Sequence, residues 1–186
     1  YSTISDITIS AGATTGTATF TPTDDSTYEG NETGIVAISG VSGADAAESG
    51  TQSVTITITD DDSAPTVTLA TSASSIAENA GSSLTLTATL SNPTTADVTV
   101  GISTSGTGTE GTDYSTISDI TISAGATTGT ASFTPTDDSI YEGNETGIVA
   151  ISTVSGGSAT ESGTQSVTIT ITENETAPVV NLSVSS

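Results

Sequence analysis

The strongest constraint on this chain is an internal repeat whose two copies lie 113 positions apart. Residues 1–73 align without a gap on residues 114–186, and 58 of these 73 positions are identical. Self-similarity at a fixed period indicates tandem copies of one structural unit. A period of this length exceeds that of a short solenoid unit and matches the size of a β-sandwich domain. The sequence therefore predicts a series of similar domains.

Two Ala-Pro dipeptides, Ala64-Pro65 and Ala177-Pro178, mark the predicted domain boundaries, and each follows an acidic stretch. Proline removes an amide donor and stiffens the backbone, as a junction requires. On this interpretation residues 1–63 are the C-terminal part of one repeat, residues 64–176 are a complete repeat, and residues 177–186 are the first strand of the next. We call residues 64–113 the front half and residues 114–176 the back half of the complete repeat.

Alternation of apolar and polar residues with period two runs through the chain, and helical periodicity is absent. It is clearest in residues 53–59, 83–90, 97–102 and 167–171. Such alternation is typical of antiparallel strands with one face in a core and the other in water. About seven strands fit between the turn signals of a repeat, which predicts an all-β fold of tandem immunoglobulin-like antiparallel β-sandwiches. Phe133 is predicted to pack among Leu84, Leu86, Val98, Val100, Ile169 and Ile171.

The charge of the chain is entirely negative: it has 22 carboxylates and no Lys, Arg or His. Nothing basic is present to bind a nucleic-acid backbone, and an anionic membrane surface would repel the chain. No apolar run reaches the length of a membrane span. We therefore predict no nucleic-acid partner and no direct membrane insertion.

Catalysis has little chemical basis in this sequence. Nucleophile–base chemistry lacks His, Lys and Cys. Paired carboxylates could serve a glycosidase, but no Trp and few aromatic residues are available for a sugar-stacking cleft. We predict that the chain is not an enzyme.

Acidic residues cluster at the predicted strand ends of the complete repeat, and four of them lie within residues 137–145. Like charges so close together are costly unless a cation neutralises them. A set of oxygen ligands without nitrogen or sulfur donors suits Ca²⁺, and suits Mg²⁺ less well. The competing interpretation is a solvated acidic surface. The eight clustered residues are Glu78, Asp113, Asp137, Asp138, Glu142, Glu145, Glu173 and Glu175.

The same region resembles a known family. The motifs at residues 75–81, 111–114, 133–145 and 167–173 occur in the order found in the Calx-beta domain, which is present in sodium–calcium exchangers and in large bacterial surface proteins. The resemblance covers a full repeat. It implies calcium ligands at the eight residues above and, in the preceding copy, at Asp24, Asp25, Glu29, Glu32, Asp60, Asp61 and Asp62.

The two copies differ in their closing acidic run, which is Asp60-Asp61-Asp62 in the first and Glu173-Asn174-Glu175 in the second. The second run has longer side chains and one charge fewer. We therefore expect weaker calcium binding or lower occupancy in the second copy.

These observations predict a structural repeat of a long extracellular or cell-surface protein, either a calcium-rigidified stalk or adhesin or a filament building block. Its partners would be neighbouring repeats of the same chain and, in a filament, identical chains. One alternative is a self-assembling fibre subunit whose final segment pairs with the sheet edge of a neighbouring chain. A second is an adhesion module for a glycan or protein, although no aromatic or pocket-forming insertion supports it.

Four Asn residues, Asn31, Asn144, Asn174 and Asn181, fit the N-glycosylation pattern. Chance matches are expected in a chain so rich in Ser and Thr. A glycan on Asn144 would also crowd the proposed calcium loop.

Overall fold

The computed structural model describes residues 1–184, which contain eleven β-strands and no helix. Within these residues no helix is long and apolar enough to cross a membrane. The chain divides into two compact units, Tyr1–Asp62 and a second unit that begins at Ser63. We call the first unit the partial repeat. The observed division lies one residue before the predicted boundary at Ala64-Pro65.

The second unit is a sandwich of two sheets. The four-stranded sheet has the order β10-β3-β5-β8, and the five-stranded sheet has the order β4-β11-β9-β6-β7. The strands are β3 (Thr66–Thr71), β4 (Ser75–Ala77), β5 (Leu84–Leu90), β6 (Val98–Gly106), β7 (Ile120–Ile122), β8 (Thr128–Phe133), β9 (Glu145–Ser155), β10 (Thr160–Glu161) and β11 (Ser166–Thr172).

The predicted all-β sandwich is confirmed, with nine strands in the complete repeat instead of about seven. The two extra strands are short. The chain leaves one sheet after β3 and joins the other as β4, which pairs in parallel with β11, while β10 pairs in parallel with β3. All other pairings between the strands described in this unit are antiparallel.

The core lies between the two sheets and is built from the apolar positions of the alternating strands. Phe133 is fully buried and stacks on Tyr114, with ring centroids 4.6 Å apart. The residues predicted to surround it belong to the same core cluster, where Leu84 is partly buried and Leu86, Val98, Val100, Ile169 and Ile171 are buried.

Gly147 on β9 faces this aromatic stack. A Cβ atom at this position would lie 2.7 Å from the Phe133 ring, a distance that real Cβ contacts do not tolerate. The absence of a side chain at Gly147 therefore makes room for the Phe133 ring in the core.

The partial repeat contains two strands, β1 (Glu32–Ala37) and β2 (Ser53–Ile58), which pair in antiparallel fashion. They correspond to β9 and β11 of the complete repeat. Its aromatic pair is retained, since Tyr1 and Phe20 have ring centroids 4.8 Å apart. The segments that match β7 and β8 form no strand in this unit.

Residues 177–184, predicted to begin the next repeat, form no strand. Residues 185 and 186 of the same segment lie outside the described residues. The assignment of this segment as the first strand of a further repeat therefore stays a prediction.

Candidate metal centre

The topology of the five-stranded sheet brings several strand ends to one end of the sandwich. The parallel strands β4 and β11 finish there, immediately before Glu78 and Glu173. Strand β9 is antiparallel to β11 and begins there at Glu145, and β6 ends opposite the start of β9. The loop after β6 carries Asp113, and the loop between β8 and β9 carries Asp138 and Glu142. Residues far apart in sequence thus meet at one place.

Seven carboxylates at this end form three overlapping groups, and in each group three ligand oxygens lie within 4.8 Å of one another. We call these seven residues the acidic cluster. The groups are Glu78 with Glu173 and Glu175, Glu78 with Asp138 and Glu142, and Asp113 with Glu142 and Glu145. Asp137, the eighth predicted ligand, belongs to none of these groups.

The front half supplies one carboxylate to each group. Glu78 serves two of them and Asp113 the third. The back half supplies the rest. A cation bound by any of these groups would therefore hold the two halves of the repeat together.

Glu173 is the most strongly anchored side chain of the cluster. Its Oε2 accepts hydrogen bonds from the backbone N–H of Glu142 (2.6 Å) and Gly143 (2.8 Å), and its Oε1 accepts from those of Asn174 and Glu175 (both 2.9 Å). Backbone donors to a carboxylate favour its charged form. The hydrogen bond from the Glu175 backbone is the largest cause, and with those from Glu142 and Gly143 it lowers the pKa of Glu173 to about 2.

The pKa of Glu175 is shifted in the opposite direction. The adjacent Glu173 side chain is the main cause that raises the pKa of Glu175 to about 7, and burial and the charges of Glu173, Glu78 and Asp137 act in the same direction. Its Oε2 atom is buried and has no hydrogen-bond partner. An orphaned buried carboxylate oxygen beside two other carboxylates is the environment that a bound cation would satisfy.

Three further members of the cluster have pKa values raised first by partial desolvation and then by neighbouring carboxylates: Glu78, Glu142 and Glu145. Glu78 is only 8% exposed, and its Oε1 accepts a hydrogen bond of 3.3 Å from the Asp138 backbone. No Lys, Arg or His exists anywhere in the chain to neutralise these charges. The donor set, all oxygen and all carboxylate, fits Ca²⁺.

The seven predicted ligands of the partial repeat line one small pocket of about 50 Å³, together with Thr23, Gly30, Ile58 and Thr59. No three carboxylates among residues 1–62 approach one another as closely as those of the acidic cluster. The positions that would match Glu78 and Asp113 do not occur among these residues. The pocket therefore contains only the ligands that the back half of a repeat contributes to the site.

The difference between the closing runs is smaller than the sequence suggests. Oδ2 of Asp60 accepts from the backbone N–H of Glu29 (2.8 Å) and Gly30 (2.5 Å), as Glu173 does from the matching residues. Oδ1 of Asp60 accepts from the Asp62 backbone (3.0 Å), as Glu173 does from Glu175. The longer side chain thus keeps the same anchoring contacts. The expectation of weaker binding in the second copy stays a prediction.

A supporting residue that the sequence did not indicate is Asn144. Its side-chain oxygen accepts the backbone N–H of Glu173 at 3.0 Å, and Asn31 does the same for Asp60. Both residues also fit the N-glycosylation pattern, which does not predict this contact. The sequence feature that could have predicted a supporting role is the Asn at the same position beside the acidic loop in both copies.

The four acids of the complete repeat that lie outside the predicted set have structural roles. Each accepts a backbone hydrogen bond within the sandwich: Asp97 from Ala124, Asp119 from Ile102 at the β-bulge of β6, Glu110 from Ile117 and Glu161 from Gln165. These carboxylates therefore stabilise loops and strands, whereas the carboxylates of the acidic cluster face one another.

Comparison with known families identifies the class of domain. The profile of the Calx-beta domain matches residues 2–62 and again residues 60–175. The chain belongs to the Calx-beta family, a family of calcium-binding β-sandwiches that act as non-catalytic regulatory or binding modules. No curated protein sequence matches the chain.

Several solved structures are similar to it, among them the following two. One is titled "Crystal structure of Apo-form Calx CBD1 domain", with a TM-score of 0.48, 16% identity, and coverage of 60% of this chain and 99% of that chain. The other is titled "Crystal structure of CBD12 from CALX1.2", with a TM-score of 0.46, 17% identity, and coverage of 53% of this chain and 40% of that chain.

Proposed function

We propose that the complete repeat binds Ca²⁺ through the acidic cluster and that the ion stiffens a structural repeat of a long extracellular or cell-surface protein. The observation that carries this proposal is the set of three interlocking carboxylate groups, with the buried and unpartnered Oε2 of Glu175 among them. Without a cation, seven carboxylates at one end of the sandwich repel one another. A bound cation would be coordinated by these carboxylates and would neutralise their charges.

The position of the acids in the chain supports a role at domain junctions. The closing run of the complete repeat ends two residues before Ala177-Pro178, and that of the partial repeat ends two residues before Ala64-Pro65. The division between the two units falls directly after Asp62. An ion that holds the closing run restricts the chain where it leaves the domain. A series of such junctions would behave as a stiff rod, as a stalk or adhesin spacer requires.

An extracellular setting is consistent with this chemistry. Several members of the cluster, including Asp138 and Glu142, are exposed. Extracellular calcium modules commonly bind with dissociation constants of about 10⁻⁴ to 10⁻³ M, and ligand charge and site rigidity set the value. The proposed partners are the neighbouring repeats of the same chain.

Calorimetry of the full chain in calcium and in chelator tests the proposal, with small-angle X-ray scattering under the same conditions. Calcium should raise the melting temperature, because a ligand that binds only the folded state stabilises it by mass action. It should also reduce the spread of molecular dimensions. An unchanged melting temperature together with unchanged scattering would contradict the proposal.

One observation favours a second candidate, the self-assembling fibre subunit. The apolar residues of the final segment are almost fully exposed, with Val180 at 95% and Leu182 at 100%. Their counterparts in β3, Val67 and Leu69, are buried. If this segment pairs with another chain, sedimentation should show concentration-dependent assembly that Val180→Asp abolishes. A monomer at all concentrations would exclude this candidate.

A further inference from the structure

The chain enters and leaves the complete repeat at opposite ends of the sandwich. It leaves at the acidic cluster, where β11 finishes. It enters at the other end, because Val67 at the start of β3 stands opposite Leu90, the last residue of β5. The first residue of β5, Leu84, stands opposite Phe133, just ahead of the acidic loop. The acidic cluster therefore acts directly on the leaving chain, and the entering chain must be held by other residues.

The turn after β5 holds the entering chain. The Nδ2 atom of Asn92 donates a hydrogen bond of 2.9 Å to the backbone carbonyl of Ser63, 29 positions earlier in the chain. The Oγ atom of Ser91 accepts from the backbone N–H of Thr66 at 3.0 Å and donates to Oδ1 of Asn92 at 2.8 Å. A continuous row of hydrogen bonds thus joins the first residue of β3 to the carbonyl of the linker before it. We call Ser91 and Asn92 the entry clamp.

The partners of the Asn92 amide fix its orientation. A carbonyl oxygen can only accept a hydrogen bond, so the amide nitrogen must face Ser63 and the amide oxygen must face the Ser91 hydroxyl. Hydrogen bonds in such a row strengthen one another. The contact with Ser63 therefore requires a donor at position 92, which a carboxylate of the same shape could not supply.

Pro65 restrains the same segment by packing. Its side chain is fully buried, and its carbonyl accepts a hydrogen bond of 3.1 Å from the backbone N–H of Thr160 on β10. Proline fixes its own φ angle and disfavours the helical conformation at Ala64 before it. Each residue from Ser63 to Thr66 thus carries a contact or a backbone restriction. None of these involves a carboxylate.

The chain is also anchored just before this segment, within the partial repeat. The backbone N–H of Asp60 donates to Oδ1 of Asn31, and that of Asp62 donates to Oδ1 of Asp60, both at 3.0 Å. The held amide of Asp62 and the held carbonyl of Ser63 belong to adjacent residues. Because peptide bonds are planar, rotation between these two anchored points is limited to the φ and ψ angles of Asp62 and Ser63.

We propose that Asn92 is a positioning residue of the junction: the entry clamp fixes the incoming chain without calcium and confines the hinge between the repeats to Asp62 and Ser63. The use of such a clamp in a stiff rod rests on the proposed function, whereas the clamp itself needs no ion. The complete repeat would hold its entering chain by hydrogen bonds and its leaving chain by an ion. Only the second attachment would respond to calcium.

NMR relaxation of the full chain in chelator tests the clamp. The backbone amides of Ser63 and Ala64 should be as ordered as those of the strands, with order parameters of about 0.85. Asn92→Asp keeps the shape of the side chain but places an acceptor against the Ser63 carbonyl, so these two order parameters should fall below about 0.6. Unchanged values on β9 and β11 would verify that the sandwich of the variant is folded.

Three further variants separate the lost donor from other effects. Thr95→Asp adds the same charge at an exposed position of the same loop and should leave Ser63 and Ala64 ordered. Asn92→Ala removes the donor without adding a charge and should loosen both residues as Asn92→Asp does. Ser91→Ala removes the acceptor of the Thr66 amide, whose hydrogen exchange should become about tenfold faster or more.

Calcium titration of the same variants distinguishes this inference from the proposed function. Asn92 lies at the end opposite the acidic cluster, so its replacement should change calcium affinity by less than about twofold. A full chain that binds no calcium would overturn the proposed function and leave the clamp intact. The clamp would be overturned by disorder of Ser63 in the unaltered chain, by unchanged order in both Asn92 variants, or by equal loosening in Thr95→Asp.

Discussion

The two back halves of this chain have nearly the same sequence and different structures. In the complete repeat, residues 114–176 form β7 to β11 and bury their apolar side chains. In the partial repeat, the matching residues form two strands, and the counterparts of the core side chains are exposed or only partly buried. Strand propensity is therefore insufficient here, and the partner strands of the front half decide which segments become strands. The comparison provides an internal control for every substitution, because most residues occur twice.

The largest expected contrast is between Ile120→Ala and Ile7→Ala. Ile120 is fully buried, and its truncation should destabilise the complete repeat by about 2–5 kcal/mol through lost burial and a residual cavity. Ile7 is 55% exposed, and its truncation should change stability by less than about 0.5 kcal/mol. Chemical denaturation of the two variants measures both values. Equal losses would show that the partial repeat is folded independently.

The next contrast concerns the glycines beside the aromatic pairs. A Cβ at Gly147 would lie 2.7 Å from Phe133, whereas one at Gly34 would lie 3.3 Å from Phe20. Gly147→Ala should cost about 1–3 kcal/mol, as overpacking of a tight core does. Gly34→Ala should cost much less, since Phe20 is only partly buried and its ring can shift. Thermal melts of both variants check this, and an inverted order would contradict the difference in packing.

Removal of a front-half ligand should have a smaller effect on stability but should clearly lower the affinity for calcium. Glu78→Gln should weaken calcium binding by about tenfold or more, because ligand charge sets affinity in such sites. Asp97→Asn is the matched control, since Asp97 lies outside the acidic cluster and bonds the Ala124 backbone. Isothermal titration calorimetry measures both. A similar loss in both variants would indicate a general effect of net charge.

The smallest predicted effect is the pH dependence of calcium binding. The pKa of Glu175 is raised from 4.5 to about 7, chiefly by the adjacent Glu173 side chain. Between these values the calcium-free folded chain holds a proton that the unfolded chain has released, so calcium-free stability falls as pH rises through this window. Calcium must displace that proton, and affinity should rise about fivefold from pH 6 to pH 7. Glu175→Gln should remove this dependence. An unchanged pH profile in that variant would assign the proton to another group.

Much of the fold could be predicted because it depends on alternation, which is a local property. The strands near residues 53–58, 84–90 and 166–172 follow from it directly, and so does the core around Phe133. The crossing from β3 to β4 could not be predicted, because the same apolar pattern continues on both sides of it. The short strand β10 has no pattern of its own and exists only through its pairing with β3.

The sequence indicates which acids could bind an ion, but not how the structure groups them. The clustering of acids and the Calx-beta motifs indicate the residues, yet the grouping depends on loop paths. Asp137 and Asp138 are adjacent in sequence, and only Asp138 enters a carboxylate group. The anchoring of Glu173 by four backbone N–H groups likewise depends on how the loop between β8 and β9 folds.

The parallel pairing of β4 with β11 has a mechanical consequence. Ser75, Ile76 and Ala77 stand opposite Thr170, Ile171 and Thr172, near opposite ends of the complete repeat in sequence. Tension applied to the two ends of the repeat would pull these neighbouring strands past each other along their length, so that their hydrogen bonds resist together instead of breaking one after another. Glu78 and Glu173 directly follow these strands and share a carboxylate group. An ion bound by both residues would hold the ends of β4 and β11 together. The force needed to extend the protein would then depend on calcium.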